Sequence, residues 1–235
     1  MNLLLLHDDD FESETRARVT GRRCKHVRRI LKKKPGETLV AGRANGLIGM
    51  ATILELSKEV LVVEVSLRDS PPPPLPGVLV LALPRPPVMA RAVAAATSLG
   101  IKHIVLLHTQ RVENTYWGAS AMTPDSLHDK LCLGLEQARD TRLPELWLRK
   151  RFKPFVEDEL PQLLDGATGI FADSGASVPC PARLDAPAVV AIGPEGGFID
   201  FELEKLQEAG MSGVTLGTRA LRVETAMTAL LSRML

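Results

Sequence analysis

Val189-Val190-Ala191-Ile192-Gly193-Pro194-Glu195-Gly196-Gly197-Phe198 is an apolar run that passes directly into a glycine-rich turn. A short β-branched run of this kind reads as a buried strand, and the turn reads as the loop that leaves it. A helix is expected next, with Asp200 as its N-cap and Gly210 as its stop. In open α/β sheets, ligands bind where strands end in such loops. This loop lacks the G-x-G-x-x-G spacing of dinucleotide sites and the G-K-[ST] of phosphate loops. It also carries an acid, Glu195, which would repel a phosphate. A phosphate-free or cationic nucleoside suits it, and S-adenosylmethionine is both.

A second segment repeats the logic. Leu216-Gly217-Thr218-Arg219-Ala220-Leu221-Arg222-Val223-Glu224-Thr225-Ala226 is a strand end, a glycine turn and a helix start. Glu224 in the first helical turn complements the macrodipole, and Arg222 stands where its side chain can reach over a site. Either turn alone is as readily a plain turn, with Arg222 and Glu224 a surface ion pair. Two such turns in one α/β domain favour a site.

Strands are expected over 78–83, 104–107, 169–172, 188–192 and 214–216, and helices over 89–99, 125–139 and 222–235. That alternation predicts a parallel α/β sheet. Before it stands Pro71-Pro72-Pro73-Pro74-Leu75-Pro76-Gly77, a run too stiff and donor-poor for a helix or central strand. It is read as a linker over 71–77, separating a domain over 1–70 from one over 78–235. The first domain is expected to be β-rich, with strands over 3–6, 38–41, 48–56 and 61–67. Gly42 and Asn45-Gly46 supply turns. One helix is expected over 21–33, with Val27, Ile30 and Leu31 as its apolar stripe and Pro35-Gly36 ending it.

Ten Lys/Arg residues and no acid lie between Arg16 and Lys34. Charge runs are usually solvated faces, but such faces normally mix signs. An unpaired cationic stretch points to a polyanion, and phosphate backbone is the usual one. Aromatics are only 4%, so reading of shape and phosphate is expected over base stacking.

The chain has 235 residues, 45% hydrophobic and 24% charged, with a net charge of +1. Those values fit a folded globular protein of one or two domains. No apolar run approaches the ~18 residues of a membrane span. Leu3–Leu6 runs at once into His7 and three aspartates, unlike a signal peptide. The odd trio Cys24, Cys132 and Cys180 shows neither a disulfide framework nor metal-ligand spacing, which fits a reducing cytoplasm. The five histidines, His7, His26, His103, His108 and His128, do not cluster as ligands in sequence, and no metal is expected.

The stretch 192–198, followed by Leu216-Gly217-x-Arg219-x-Leu221-Arg222-x-Glu224-Thr225-Ala226, closely resembles the ribosomal RNA small subunit methyltransferase E family of the SPOUT (α/β-knot) superfamily. His26-Val27-x-Arg29-Ile30-Leu31-Lys32 with Pro35-Gly36-Glu37 resembles the signature of that family's PUA-like N-terminal domain. Ala82-Leu83-Pro84-Arg85, Leu99-Gly100-Ile101, Gln110-Arg111-Val112, Tyr116-Trp117 and Glu136-Gln137-Ala138-Arg139 extend the likeness along the chain. The chain departs from the family at Arg85-Pro86-Pro87-Val88, which lacks a usual Lys, at Ser98 and at Lys32.

The resemblance implies a C-terminal trefoil knot holding S-adenosylmethionine, a homodimer, and methylation of N3 of one uridine in the decoding region of 16S rRNA. The candidate cofactor-binding residues are Ala172, Ile192, Gly193, Pro194, Glu195, Gly196, Gly197, Leu216, Gly217, Leu221 and Thr225. Arg222 is expected to stabilise charge on the uracil, with Glu224 orienting it or acting as a base if its pKa is raised. Arg22, Arg23, Lys25, Arg28, Arg29, Lys32 and Arg85 are the candidate RNA contacts. Two other readings stand beside this one: the same fold acting on tRNA or large-subunit rRNA, and a non-catalytic RNA-binding assembly factor. A nicotinamide-dependent oxidoreductase would need the glycine fingerprint that is missing.

Overall fold

The computed structural model describes residues 2–184 and 187–235, which divide into two compact units. One comprises Met1–Pro73 with Cys132–Leu143, the other Pro74–Leu131 with Pro144–Leu235. No helix among the described residues is long and apolar enough to cross a membrane.

The first unit is built on a five-stranded sheet. Its elements in chain order are β1 (Leu4–Leu6), β2 (Arg16–Thr20), α1 (Gly21–Arg29), β3 (Thr38–Arg43), β4 (Ile48–Leu56) and β5 (Val60–Asp69). The strands lie in the order β1-β3-β4-β5-β2; β1 runs parallel to β3 and the other pairs are antiparallel. β1 is unbrokenly apolar because both of its faces are covered. Leu4 and Leu6 enter the sheet's core beside Val19, Val27 and Ile53, while Leu3 and Leu5 pack on Cys132 and Leu135. Each fully buried Leu contributes about 1.5–3 kcal/mol, so the returning segment Cys132–Leu143 is integral to this unit.

Four expectations change here. Arg16–Thr20 is a strand: Ala17 and Val19 face inward while Arg16, Arg18 and Thr20 face out, the period-2 pattern of a half-buried strand. Gly42 lies within β3 and not in a turn, and a side chain there would run into Thr141. Asn45 does make the expected turn, at φ +57, held by Asn45 N–H donating to the Thr141 carbonyl (2.7 Å) and Leu143 N–H donating to Asn45 Oδ1 (2.9 Å). Helix α1 ends at Arg29, four residues early, because only Cys24 and Val27 reach the core. Ile30 is 67% exposed, and Lys32 adopts φ +53, outside the helical region.

Two α1 arginines serve this unit directly. Glu136 is 2% exposed and receives both Nη1 and Nη2 of Arg22, at 2.8 and 2.7 Å. The Glu136 carbonyl also accepts the Asn2 N–H at 2.7 Å, which ties the start of the chain to the same point. Arg23 forks onto Asp10 and donates to the Leu5 carbonyl, with its side chain 16% exposed.

The second unit carries a six-stranded sheet of β6 (Gly77–Ala82), β7 (His103–Leu107), β8 (Glu145–Arg149), β9 (Thr168–Ala172), β10 (Ala188–Ile192) and β11 (Ser212–Val214). Every pairing is parallel and the order is β11-β9-β10-β6-β7-β8. The expected parallel α/β architecture is therefore present. The residues of β10 are buried throughout, as a central parallel strand covered on both faces requires. The helices are α2 (Pro86–Ser98), the first part of α3 (Pro124–Ala138, whose residues from Cys132 on belong to the first unit), α4 (Phe152–Pro154), α5 (Leu160–Leu164), α6 (Asp200–Glu208) and α7 (Val223–Leu231). Helix α7 packs on α2 and β10.

Several boundaries differ from expectation. β6 takes in Gly77, the last residue assigned to the linker. β8 and the helical stretch 152–164 were not anticipated, since β8 is a half-exposed edge strand without an apolar run. β11 stops at Val214, which leaves Leu216-Gly217 in the loop. Asp200 is the first helical residue and Ile199 the cap, because Glu202 supplies the acceptor, taking the Ile199 N–H at 3.0 Å.

Removing Arg22 strands a buried carboxylate, whereas Lys25 is exposed on the same helix. Arg22→Ala is expected to lower the thermal midpoint clearly, by less than the ~3–5 kcal/mol of a fully buried broken pair because Arg22 is half exposed. Lys25→Ala should leave the midpoint in place. Equal midpoints in scanning calorimetry would show that the Glu136 pairing contributes nothing.

Candidate functional site

The chain leaves β6 toward β7 on one side and leaves β10 toward β11 on the other. The crevice between β6 and β10 is thus a switch point, the place where open parallel sheets bind ligands. A cleft of about 570 Å³ opens there, walled by the loops that follow β6, β9, β10 and β11 and by the start of α7. That volume is within the ~300–1,000 Å³ usual for small-molecule sites.

The β10 loop turns sharply. Gly197 N–H donates to the Pro194 carbonyl at 2.8 Å, and Gly197 adopts φ +72. Gly193 lies so near the returning chain that a Cβ would come within 3.1 Å of Gly197 Cα and Phe198 N. Only glycine allows that approach without displacing backbone. Glu195 extends outward from the turn and accepts the Arg85 N–H at 3.1 Å, linking the β10 loop to the β6 loop. In the β11 loop, Gly217 at φ +105 makes the bend and the Thr215 hydroxyl accepts its N–H at 3.2 Å.

Helix α7 then starts with Arg222 as its N-cap. The Arg222 carbonyl accepts N–H from Thr225 and Ala226, and its side chain is exposed on the cleft wall. Glu224 is hydrogen-bonded to Arg91 of α2 at 3.0 Å. Its own backbone N–H, free in the first helical turn, and then the Arg91 guanidinium hold its carboxyl below the ordinary range. The raised pKa that a general base would need is absent, and the partner of Glu224 is Arg91 where Arg222 was expected.

The fold therefore gathers Ala172, Ile192, Gly193, Pro194, Glu195, Gly196, Gly197, Leu216, Gly217 and Leu221 around one cleft, with Arg85, Arg222 and Glu224 at its wall. Thr225 is not brought in; it is exposed and contributes its N–H to the first turn of α7. Arg91, Asp173 and Arg219 also line the cleft. Arg91 and Asp173 escaped sequence reading because one lies inside an alanine-rich helix and the other just past a strand, with no motif around either. Of the candidate RNA contacts, Lys25, Arg29 and Lys32 are exposed, and Arg28 is half-buried with an Nε that has no hydrogen-bond partner. Arg22 and Arg23 are engaged with Glu136 and Asp10.

Residues 71–235 match the family model for an RNA methyltransferase domain. The chain is 30% identical over 211 residues to the ribosomal RNA small subunit methyltransferase E of Treponema pallidum, covering 86% of this chain and 77% of that one. It is 22% identical over 226 residues to ribosomal RNA small subunit methyltransferase E 1 of Borreliella burgdorferi, covering 96% and 94%. The crystal structure of a ribosomal RNA small subunit methyltransferase E from Neisseria gonorrhoeae bound to S-adenosyl methionine has the same fold. It superposes with a TM-score of 0.77 at 19% identity, over 100% of this chain and 96% of that one. A domain match that runs from the proline run to the last residue, joined to a relative aligned over most of both chains, places the chain in the ribosomal RNA small subunit methyltransferase E family.

Proposed function

We propose that the protein methylates N3 of one uridine in the decoding region of 16S rRNA, in the cytoplasm, with S-adenosylmethionine as methyl donor. The observation that carries this reading is the cleft: two glycine turns, one bearing Glu195 and one leading to Arg222, meet at the switch point of a parallel sheet. The reading includes a homodimer, a PUA-like N-terminal domain and a C-terminal knot. The small five-stranded sheet with its basic helix supports the second of these. The late insertion of β10 between β9 and β6 supports the third.

The lining fits the donor. Ile192, Leu216 and Leu221 offer apolar surface to an adenine ring, and the carboxylates of Asp173 and Glu195 complement a sulfonium and an ammonium. When bound, S-adenosylmethionine supplies a methyl group whose bond to sulfur breaks as the bond to N3 forms, the N3 proton passing to water. Uridine N3 is protonated at neutral pH, so charge builds on the uracil oxygens as that proton leaves. Arg222 donates N–H groups to those oxygens, the kind of fixed electrostatic aid that lowers a barrier without reorganising. Glu224 stays ionised and, with Arg91, frames the wall from which Arg222 projects. On α1 and the turn after it, Lys25, Arg29 and Lys32 reach phosphates, with Arg28 beside them and Arg85 at the cleft.

Mass mapping of methylated nucleosides should show one methyl fewer in small-subunit rRNA from cells lacking the gene; identical maps would end the reading. Arg222→Ala should lose about 10²–10³ in rate at an unchanged thermal midpoint. Because its carboxyl titrates below the ordinary range, Glu224 is charged at every pH above it, and charge is lost only as pH falls through that lowered value. Glu224→Gln should therefore slow the reaction without removing any break from the pH–rate profile near neutrality. The disappearance of such a break would restore Glu224 as the base. Replacing Lys25, Arg29 and Lys32 together by Ala should shrink the slope of log K against log salt for an rRNA fragment by about 2–3. An unaltered slope would move RNA contact away from α1.

A further inference from the structure

The glycine loop after β10 is gripped by a neighbour from another part of the chain, the loop that leaves β7. Glu202, in the first turn of α6, is 2% exposed. Its carboxylate accepts the N–H of Gln110 at 2.7 Å and that of Ile199 at 3.0 Å. The next residue, Arg111, donates through Nη1 to the Gly196 carbonyl and reaches toward the Phe198 carbonyl at 3.5 Å. Its aliphatic stem lies close as well, since a Cβ on Gly196 would stand 3.0 Å from Arg111 Cδ. Two consecutive residues thus fasten both limbs of the turn, Gln110 on the helix side and Arg111 on the glycine side.

The turn needs such fastening. Three of its residues, Gly193, Gly196 and Gly197, are glycines, whose backbone has the widest choice of other shapes. Apart from the bonds of Arg111 and Glu202, the described hydrogen bonds that hold the turn are the Gly197–Pro194 bond and the single reach of Glu195 to Arg85 N–H. Gly196 is exposed, so packing does not restrain it.

We propose that Arg111 and Glu202 are positioning residues that keep the glycine loop in its ligand-binding shape before the methyl donor arrives. The inference rests on the reading of the cleft as the donor site. If the competent shape falls to a tenth of the population when Arg111 is removed, the apparent Kd rises about tenfold. A donor already bound has re-formed the shape, so turnover at saturation changes little.

Calorimetry with S-adenosylmethionine on the full-length protein tests this, together with steady-state kinetics on small-subunit rRNA. Arg111→Ala should weaken binding about tenfold and raise KM for the donor to match, with kcat within about twofold. Its ligand-free thermal midpoint should stay near that of the parent, because Arg111 is exposed. Arg111→Lys should fall between, since an ammonium can meet one carbonyl but has no fork. Glu202→Gln should shift binding the same way, and if it fails to fold, Arg111→Ala and Arg111→Lys decide alone. Parent-like donor affinity in Arg111→Ala overturns the inference and leaves the donor site standing, as does a loss in kcat at unchanged KM. A parent protein that does not bind the donor overturns the reading beneath it.

Discussion

Everything at the cleft depends on one steric fact: the backbone leaving β10 has to reverse within two residues of a strand walled in on both sides. Ile192 is buried between β9 and β6, and the next residue already lies against the chain coming back. Gly193 is the only kind of residue that permits this approach. With it in place, Glu195 projects over Arg85 and the turn closes on Pro194. A side chain at that position would push the turn outward and carry Glu195 away from the β6 loop.

The charges around the cleft divide by what surrounds them. Glu195 and Asp173 accept backbone N–H groups, from Arg85 and Gly175, and among the described contacts no guanidinium is hydrogen-bonded to either. Glu224 is different: a helix N-terminus and Arg91 both favour its anion, which makes it a fixed charge in place of a proton carrier. Arg222 caps the same helix from outside, and no carboxylate among the described residues is hydrogen-bonded to its guanidinium. Local electrostatics thus separates two residues that stand side by side in one motif.

The basic segment shows the same separation on a larger scale. Ten cations without an acid looked like one surface, but they lie on a strand, a helix and the turn after it. Arg16 and Arg18 meet Glu12, Arg22 meets Glu136, and Arg23 meets Asp10. The acids that claim them come from outside the segment, one of them 114 residues away. What remains for a polyanion is the outer edge of α1 and the turn beyond it, where Lys25, Arg29 and Lys32 stand exposed.

The sequence by itself determined the parallel α/β sheet, the two glycine turns and most of the residues that line the cleft. These follow from local rules: apolar runs bury, and glycines mark where backbone bends or crowds. It did not determine that β8 forms, since an edge strand needs no apolar signal, nor that Ile30 and Leu31 stay exposed. Tertiary structure alone decided that Arg91 would claim Glu224, that Glu136 would claim Arg22, and that Arg111 and Glu202 would fasten the glycine loop. Each is a pairing across 85 or more residues. Charge–charge and hydrogen-bond partners at that distance are chosen by which strands become neighbours, and no local pattern in the chain encodes the choice.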